Sequence, residues 1–245
     1  MSAPGGPSPM RLTILETGRP PPALRDSFSD YPQMFAALLG KAAFSFETVA
    51  ICDGEAPPGP EEIEAVLITG SPAGVYEDHA WIGPLEAAIR AYAARRLPQI
   101  GICFGHQIIA QALGGRVEKS PKGWGLGHHA YQLIDPPNWM GEGGLEFSIA
   151  ASHQDQVIMA PLGARVLAAN AHTPIAALHY EAANALTFQG HPEMSPAFLA
   201  ALLAARRGRI PEAALESGLA SLAQQPDRAR VARWIEAFVL KNPAI

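Results

Sequence analysis

The stretch Pro98-Gln99-Ile100-Gly101-Ile102-Cys103-Phe104-Gly105-His106-Gln107, continuing to residue 113, decides how this chain is read. Residues 98–103 form a short, nearly continuous apolar run, the pattern of a strand buried on both faces. Residues 105–113 favour a helix, and no turn residues separate the two. Strand must therefore pass directly into helix at Cys103. The frame G-x-C-x-G is the thiol form of the nucleophile elbow, whose central residue is strained and whose neighbours must be small. Gly101 and Gly105 meet that need. Cys103 is then expected at the amino end of a helix, where backbone amides favour an anion.

Working outward, short apolar runs alternate with helical patterns, which predicts an α/β domain around a mostly parallel sheet. Residues 12–15, 48–52 and 65–69 read as buried strands, and 31–39 and 80–96 as helices. The middle of the chain changes character. Residues 116–134, 145–151, 165–170 and 174–180 read as hairpins or edge strands joined by turns such as Asp135-Pro136-Pro137-Asn138. Residues 185–189 restore a buried strand. From Pro196 onward the pattern is helical, and Val231, Trp234, Ile235 and Phe238 share one face. The expected organisation is a tail over 1–10, one catalytic domain over 11–195 and a helical extension of that domain over 196–245.

Composition narrows the function classes. Of the 245 residues 48% are hydrophobic and 17% charged, enough apolar material for a core and too much for a disordered chain. With 18 basic and 23 acidic residues the net charge is −5, so no basic surplus exists to neutralise a nucleic-acid backbone. The run around Cys103 is too short to cross a bilayer, and the start lacks the blocks of a signal peptide. Two cysteines, Cys52 and Cys103, cannot build a disulfide framework or a four-thiolate zinc site, and the expectation is a soluble protein in a reducing, cytoplasmic setting. Cys52, without bracketing glycines, reads as a small buried hydrophobe within its strand.

A thiol nucleophile needs a base, and the base needs a group to orient it. His191, in Thr187-Phe188-Gln189-Gly190-His191-Pro192-Glu193, follows a buried strand and should open onto the same crevice as Cys103. Glu193 is placed to reach its ring. His128, His129 and His153 lack metal-ligand spacing and read as surface or core-satisfied residues, and His106 and His172 as turn or pocket-lining ones. No metal and no cofactor are expected.

Four ordered blocks carry a resemblance: Thr69-Gly70-Ser71-Pro72, the Cys103 elbow, Ser152-His153-Gln154-Asp155-Gln156-Val157, and His191-Pro192-Glu193. Over residues 12–195 the chain resembles the class I (triad) glutamine amidotransferases, in particular free-standing members similar to the glutaminase domain of GMP synthase. The resemblance implies that family's flavodoxin-like fold, with a small antiparallel excursion. It implies Cys103 as nucleophile, His191 as base and Glu193 as its orienter, with backbone amides of Ser71 and Phe104 as the oxyanion hole. Gly70 would let the backbone approach the substrate, Gln107 would touch the glutamine, and the main chain at Ser152 and His153 would hold its α-amino and α-carboxylate groups. The implied reaction releases ammonia and glutamate through a γ-glutamyl thioester.

Two positions depart from the family pattern. Ser71 stands where many members have a second glycine, implying a stiffer oxyanion loop. Gly190 stands where an aromatic residue commonly precedes His-Pro-Glu, implying a wider pocket beside His191. No G-x-x-x-x-G-K-[ST] loop is present, and Gly141-Glu142-Gly143-Gly144 reads as a turn, so the chain is expected to activate no acceptor itself. Three functions stay open: a glutaminase passing ammonia to a separate synthetase subunit, a free-standing γ-glutamyl peptidase, and a catalytically silent binding module. The helices after Pro196 would be a docking surface for a synthetase or a homodimer, or simply a solvated pair.

Overall fold

Leu12, Ile14, Leu67, Ile68, Ile100 and Ile102 have no solvent exposure, because the strands that carry them are covered on both faces. The computed structural model describes residues 8–241. In chain order, β1 (Met10–Leu15), α1 (Tyr31–Leu39), β2 (Phe44–Val49), β3 (Ala65–Ile68), α2 (Ile82–Ala94), β4 (Gln99–Ile102) and α3 (Phe104–Ala112) come first. The middle holds β5 (Arg116–Lys119), β6 (Gly125–Leu133), β7 (Glu146–His153), β8 (Asp155–Met159), β9 (Ala164–Ala169), β10 (Ala177–Tyr180) and β11 (Ala185–Phe188). Three helices close the chain: α4 (Pro196–Ala205), α5 (Glu212–Ser221) and α6 (Arg228–Lys241).

One nine-stranded sheet runs β2-β1-β3-β4-β11-β10-β9-β6-β7, with β5 and β8 forming a separate ladder. The first five strands in that order pair in parallel, and the other four attach antiparallel along the β11 side. This is a central, mostly parallel sheet flanked by helices. β4 and β11 are neighbours, with Ile102 in register with Phe188, so the elbow and the segment after β11 emerge side by side at the carboxyl edge.

Local chemistry sets the helix ends. Asp30 Oδ1 accepts from the Gln33 amide at 2.8 Å and Pro32 fits the first turn of α1. Ser195 Oγ caps α4 in the same way, from Phe198 N at 3.1 Å. Helices α1 and α6 cover one face of the sheet and α2 and α3 the other. Trp234 of α6 lies edge-on to Phe147 at 5.1 Å and stacks on Phe188 at 6.5 Å, while its Nε1 donates to Met140 O at 2.7 Å. Each such buried large side chain contributes roughly 1.5–3 kcal/mol of transfer free energy. Phe198, Leu199, Leu202 and Leu203 of α4 and Leu215 of α5 are also buried, so these helices belong to the core rather than forming a solvated pair.

Three expectations shift. The second strand is Phe44–Val49, not residues 48–52; it is half-exposed at the sheet edge, with Phe44 buried and Ser45 and Glu47 facing out. Ile51–Asp53 forms a tight 3-10 turn, which places Cys52 half-buried outside the sheet. Strand β8, unmarked in the sequence, turns back immediately after β7 and pairs with β5. Residues 1–7 of the expected tail lie outside the described residues, and Met10 already pairs in β1. Among the described residues no helix is long and apolar enough to cross a membrane.

Candidate active site

Cys103 has φ 53° and ψ −100°, a left-handed backbone on a residue with a side chain. Such conformations cost on the order of 1–3 kcal/mol and persist only where the surroundings hold them. Here the Cys103 amide donates to Phe188 O at 2.8 Å, and its carbonyl accepts from Gln107 N at 3.0 Å. The flanking glycines are sterically required: a Cβ on Gly101 would lie 2.5 Å from Gly105 O, and one on Gly105 would lie 2.2 Å from Ile68 O.

His191 is anchored by its amide on Ala150 O at 2.7 Å, and its Nδ1 lies 2.7 Å from Glu193 Oε1. The ring and the carboxylate are both buried. Burial alone would lower the His191 pKa, but the charges of Glu193 and Cys103 and its hydrogen bond to the Cys103 side chain outweigh that and push it up to about 10. A Cβ on Gly70 would stand 2.9 Å from His191 Cε1 and 3.7 Å from Cys103 Cβ, so Gly70 borders both side chains. Its loop is tied down from two sides: Thr17 Oγ1, just past β1, donates to Thr69 O at 3.0 Å, and Gly105 N of α3 donates to the same carbonyl at 3.2 Å. Cys103, Ser71, Gln107, Ser152 and His153 line one cavity of about 340 Å³. Phe104 opens α3, where the first amides have no partner within the helix.

Several residues escaped the sequence reading. Gln189 Nε2 stands 3.6 Å from Cys103 Sγ, and its Oε1 accepts from Gln107 Nε2 at 3.1 Å. Its signal was a polar residue ending a buried strand. Gly18 packs so closely on Ser71 that a Cβ would lie 2.8 Å from its Cα. Arg206 donates to Ser152 Oγ at 2.6 Å, and Arg228 donates to the carbonyls of Pro192 and Glu193, each at 2.8 Å. Nothing in the sequence marks either arginine.

Other expectations are corrected. Gly190 does not widen the pocket: a Cβ there would lie 2.7 Å from Ile149 Cδ1 and 3.0 Å from Ala150 O, so the missing side chain makes room for β7. His106 is neither in a turn nor in the pocket; it is buried on α3 between Thr187 Oγ1 at 2.7 Å and Ile175 O at 3.2 Å. His153 is buried rather than at the surface, and among the described residues neither ring nitrogen meets a partner in ordinary hydrogen-bond geometry. Its ring lies 6.0 Å from that of His172, which lies 5.5 Å from His129. Among the described residues no three or more His, Cys, Asp or Glu side chains are grouped to hold a metal ion.

Comparison with known proteins follows the same geometry. The family described as glutamine amidotransferase class-I matches residues 23–202. The chain is 32% identical to gamma-glutamyl peptidase 4 of Arabidopsis thaliana, over 69% of this chain and 70% of that one. It is also 32% identical to a glutamine-hydrolyzing GMP synthase of Thermus thermophilus, over 84% of this chain but 41% of that enzyme. Among solved structures, a glutamine amido transferase from Methylobacillus flagellatus shares the fold with a TM-score of 0.74 at 21% identity, covering 96% of this chain and 95% of the other.

Proposed function

This chain belongs to the class-I glutamine amidotransferases, and on that premise we propose that it is a glutaminase-type hydrolase working through Cys103, His191 and Glu193. One observation carries the reading: a buried His191 bonded at Nδ1 to Glu193 and facing the Cys103 thiol on a strained elbow. Glu193 fixes the ring so that its other nitrogen serves the thiol. His191, raised to about 10, holds the proton of the Cys103–His191 pair at neutral pH, and Sγ attacks the γ-carbonyl of a glutamine side chain. The developing oxyanion meets the amides of Ser71 and Phe104, donors worth several kcal/mol when preorganised. The C–N bond then breaks, the nitrogen leaves as ammonia with the proton from His191, and a γ-glutamyl thioester remains. Water, deprotonated by His191, attacks the thioester; the C–S bond breaks, glutamate leaves and the Cys103 thiolate is left beside protonated His191.

In this reading Gln107, its Nε2 already bonded to Asp155 O and Gln189, offers Oε1 to the substrate. The main chain at Ser152 and His153 takes the α-groups. The ammonia acceptor would be a separate synthetase subunit, in keeping with the glutamine-hydrolyzing GMP synthase among the relatives. A second reading, γ-glutamyl conjugates with water as acceptor, is favoured by a cavity of about 340 Å³ and by similarity over most of the length of a γ-glutamyl peptidase. The test is glutamate release by the purified chain from glutamine and from γ-glutamyl amides, with Cys103→Ala as blank. Turnover that survives in Cys103→Ala overturns the assignment.

A further inference from the structure

Arg206 follows directly on α4 and lines the cavity that holds Cys103. Its Nη1 is held by Ser152 Oγ, and its guanidinium carbon stands 5.2 Å from the centre of the Trp124 ring. Fixed from two sides, the guanidinium is preorganised. Burial lowers its pKa, with partial compensation from Tyr31 and Cys103, so the site holds a charge that its surroundings do not fully neutralise. Half-buried arginines usually pair with carboxylates, yet no carboxylate among the described residues ion-pairs with Arg206. Arg209 and Lys119 line the same cavity, also without an ion pair among the described residues.

The acidic residues of the cavity have partners of their own, although Asp155 stands opposite Lys119 in the β5–β8 ladder. Asp155 Oδ2 accepts from the Tyr76 hydroxyl at 2.8 Å, and Glu77 lies 3.0 Å from His79 Nε2. The cations lining the cavity are therefore the charged groups without an ion-pair partner among the described residues. Free glutamine carries a single carboxylate, which the reading above gives to the Ser152–His153 main chain, and departing ammonia offers a cationic wall nothing to bind.

We propose that Arg206, Arg209 and Lys119 form a carboxylate-binding subsite for the leaving group, so that the preferred substrate is a γ-glutamyl conjugate of an amine bearing its own carboxylate. This rests on the γ-glutamyl hydrolysis reading of the same site. The guanidinium fork of Arg206 meets the carboxylate, and the exposed Arg209 and Lys119 add attraction that salt screens. Thioester formation proceeds as before, with the C–N bond breaking and the leaving amine taking its proton from His191. The product released first is an amino acid.

The test compares γ-glutamylglycine with γ-glutamylmethylamide, which differ by the leaving-group carboxylate, in wild type, Arg206→Met, Arg209→Met and Arg206→Lys. The wild-type kcat/KM ratio should favour the glycine conjugate by about ten-fold or more, as one charge-assisted bidentate contact allows. Arg206→Met should cut that ratio about ten-fold, Arg209→Met less, and Arg206→Lys should retain part of it. Added salt should lower the ratio. Thermal melts report whether each variant is folded, and because the ratio is taken within one protein, a partial loss of folded enzyme leaves it unmoved. A wild-type ratio near one, or equal losses on both substrates in Arg206→Met, overturns the subsite while leaving the hydrolase reading intact. A wild type no faster than Cys103→Ala on either conjugate or on glutamine overturns both.

Discussion

The guanidinium of Arg228, the first residue of α6, donates through Nη2 to the carbonyl oxygen of Glu193 at 2.8 Å. Its Nε makes a second bond of 2.8 Å to Pro192 O. One side chain of the last helix thus pins the backbone on which the His191–Glu193 pair is built. Misplacing a catalytic group by about 1 Å can cost on the order of a hundred-fold in rate. Arg228→Met is expected to lower kcat by about ten- to a hundred-fold with KM little changed, and Arg228→Lys to recover part of the loss. The pH profile of kcat should move with it, because a loosened Glu193 holds the His191 proton less firmly. Wild-type kcat in a folded Arg228→Met protein would remove the bracing role.

The proposed roles of the three catalytic side chains predict a graded series. Cys103→Ala and Cys103→Ser lose the bond-forming atom and should show no turnover above blank. His191→Ala should fall by about four orders of magnitude, and Glu193→Ala by less, because it orients rather than reacts. Single-turnover measurements with each variant give the order directly. A Glu193 variant slower than the His191 one would contradict the assigned roles.

The elbow was legible because its demand is local: Gly101 and Gly105 flank Cys103, and their bulk-free positions face backbone atoms a few residues away or on the adjacent strand. His191 and Glu193 were legible because their neighbours in sequence are also their partners. Gly190 was misread because what fills its vacant side-chain space, Ile149, lies on a strand that approaches only in the folded sheet. Arg206 and Arg228 carried no signal at all. A helix-terminal arginine looks the same in sequence whether it faces water or donates to a hydroxyl or carbonyl far away along the chain. The second strand slipped because the apolar run over 48–52 outweighed the alternation over Phe44–Val49, which is what an edge strand with one wet face displays.

Stability should decline on both sides of neutrality, for opposite reasons. His191 is raised to about 10 in the folded chain against 6.5 when unfolded. Its contribution is complete below pH 6.5 and is lost as pH rises towards about 10, since the unfolded chain sheds the proton first. Burial instead lowers His129 to about 4 and His106 to about 3, so below pH 6.5 the unfolded chain takes up protons that these buried rings refuse. That penalty grows as pH falls towards 3 to 4. Urea unfolding midpoints across pH 4 to 10 should trace a dome, and His191→Gln should flatten its alkaline side. An alkaline limb unchanged in His191→Gln would show that the folded chain does not hold that proton.

Two alanine substitutions separate the site from its scaffold. A methyl at Gly105 meets the Ile68 backbone oxygen at 2.2 Å, where neither strand nor helix can yield. Gly105→Ala should therefore cost several kcal/mol, of the order seen for severe overpacking, and leave little folded protein. A methyl at Gly70 meets the edge of the His191 ring at 2.9 Å and the Cys103 side chain at an ordinary 3.7 Å. Gly70→Ala should fold, with a melting temperature close to wild type, but tilt His191 away from its working position and lower kcat by about a hundred-fold. Circular dichroism melts beside glutamate release distinguish the two. If Gly70→Ala unfolded while Gly105→Ala remained active, the close contacts around the elbow would have been assigned to the wrong glycines.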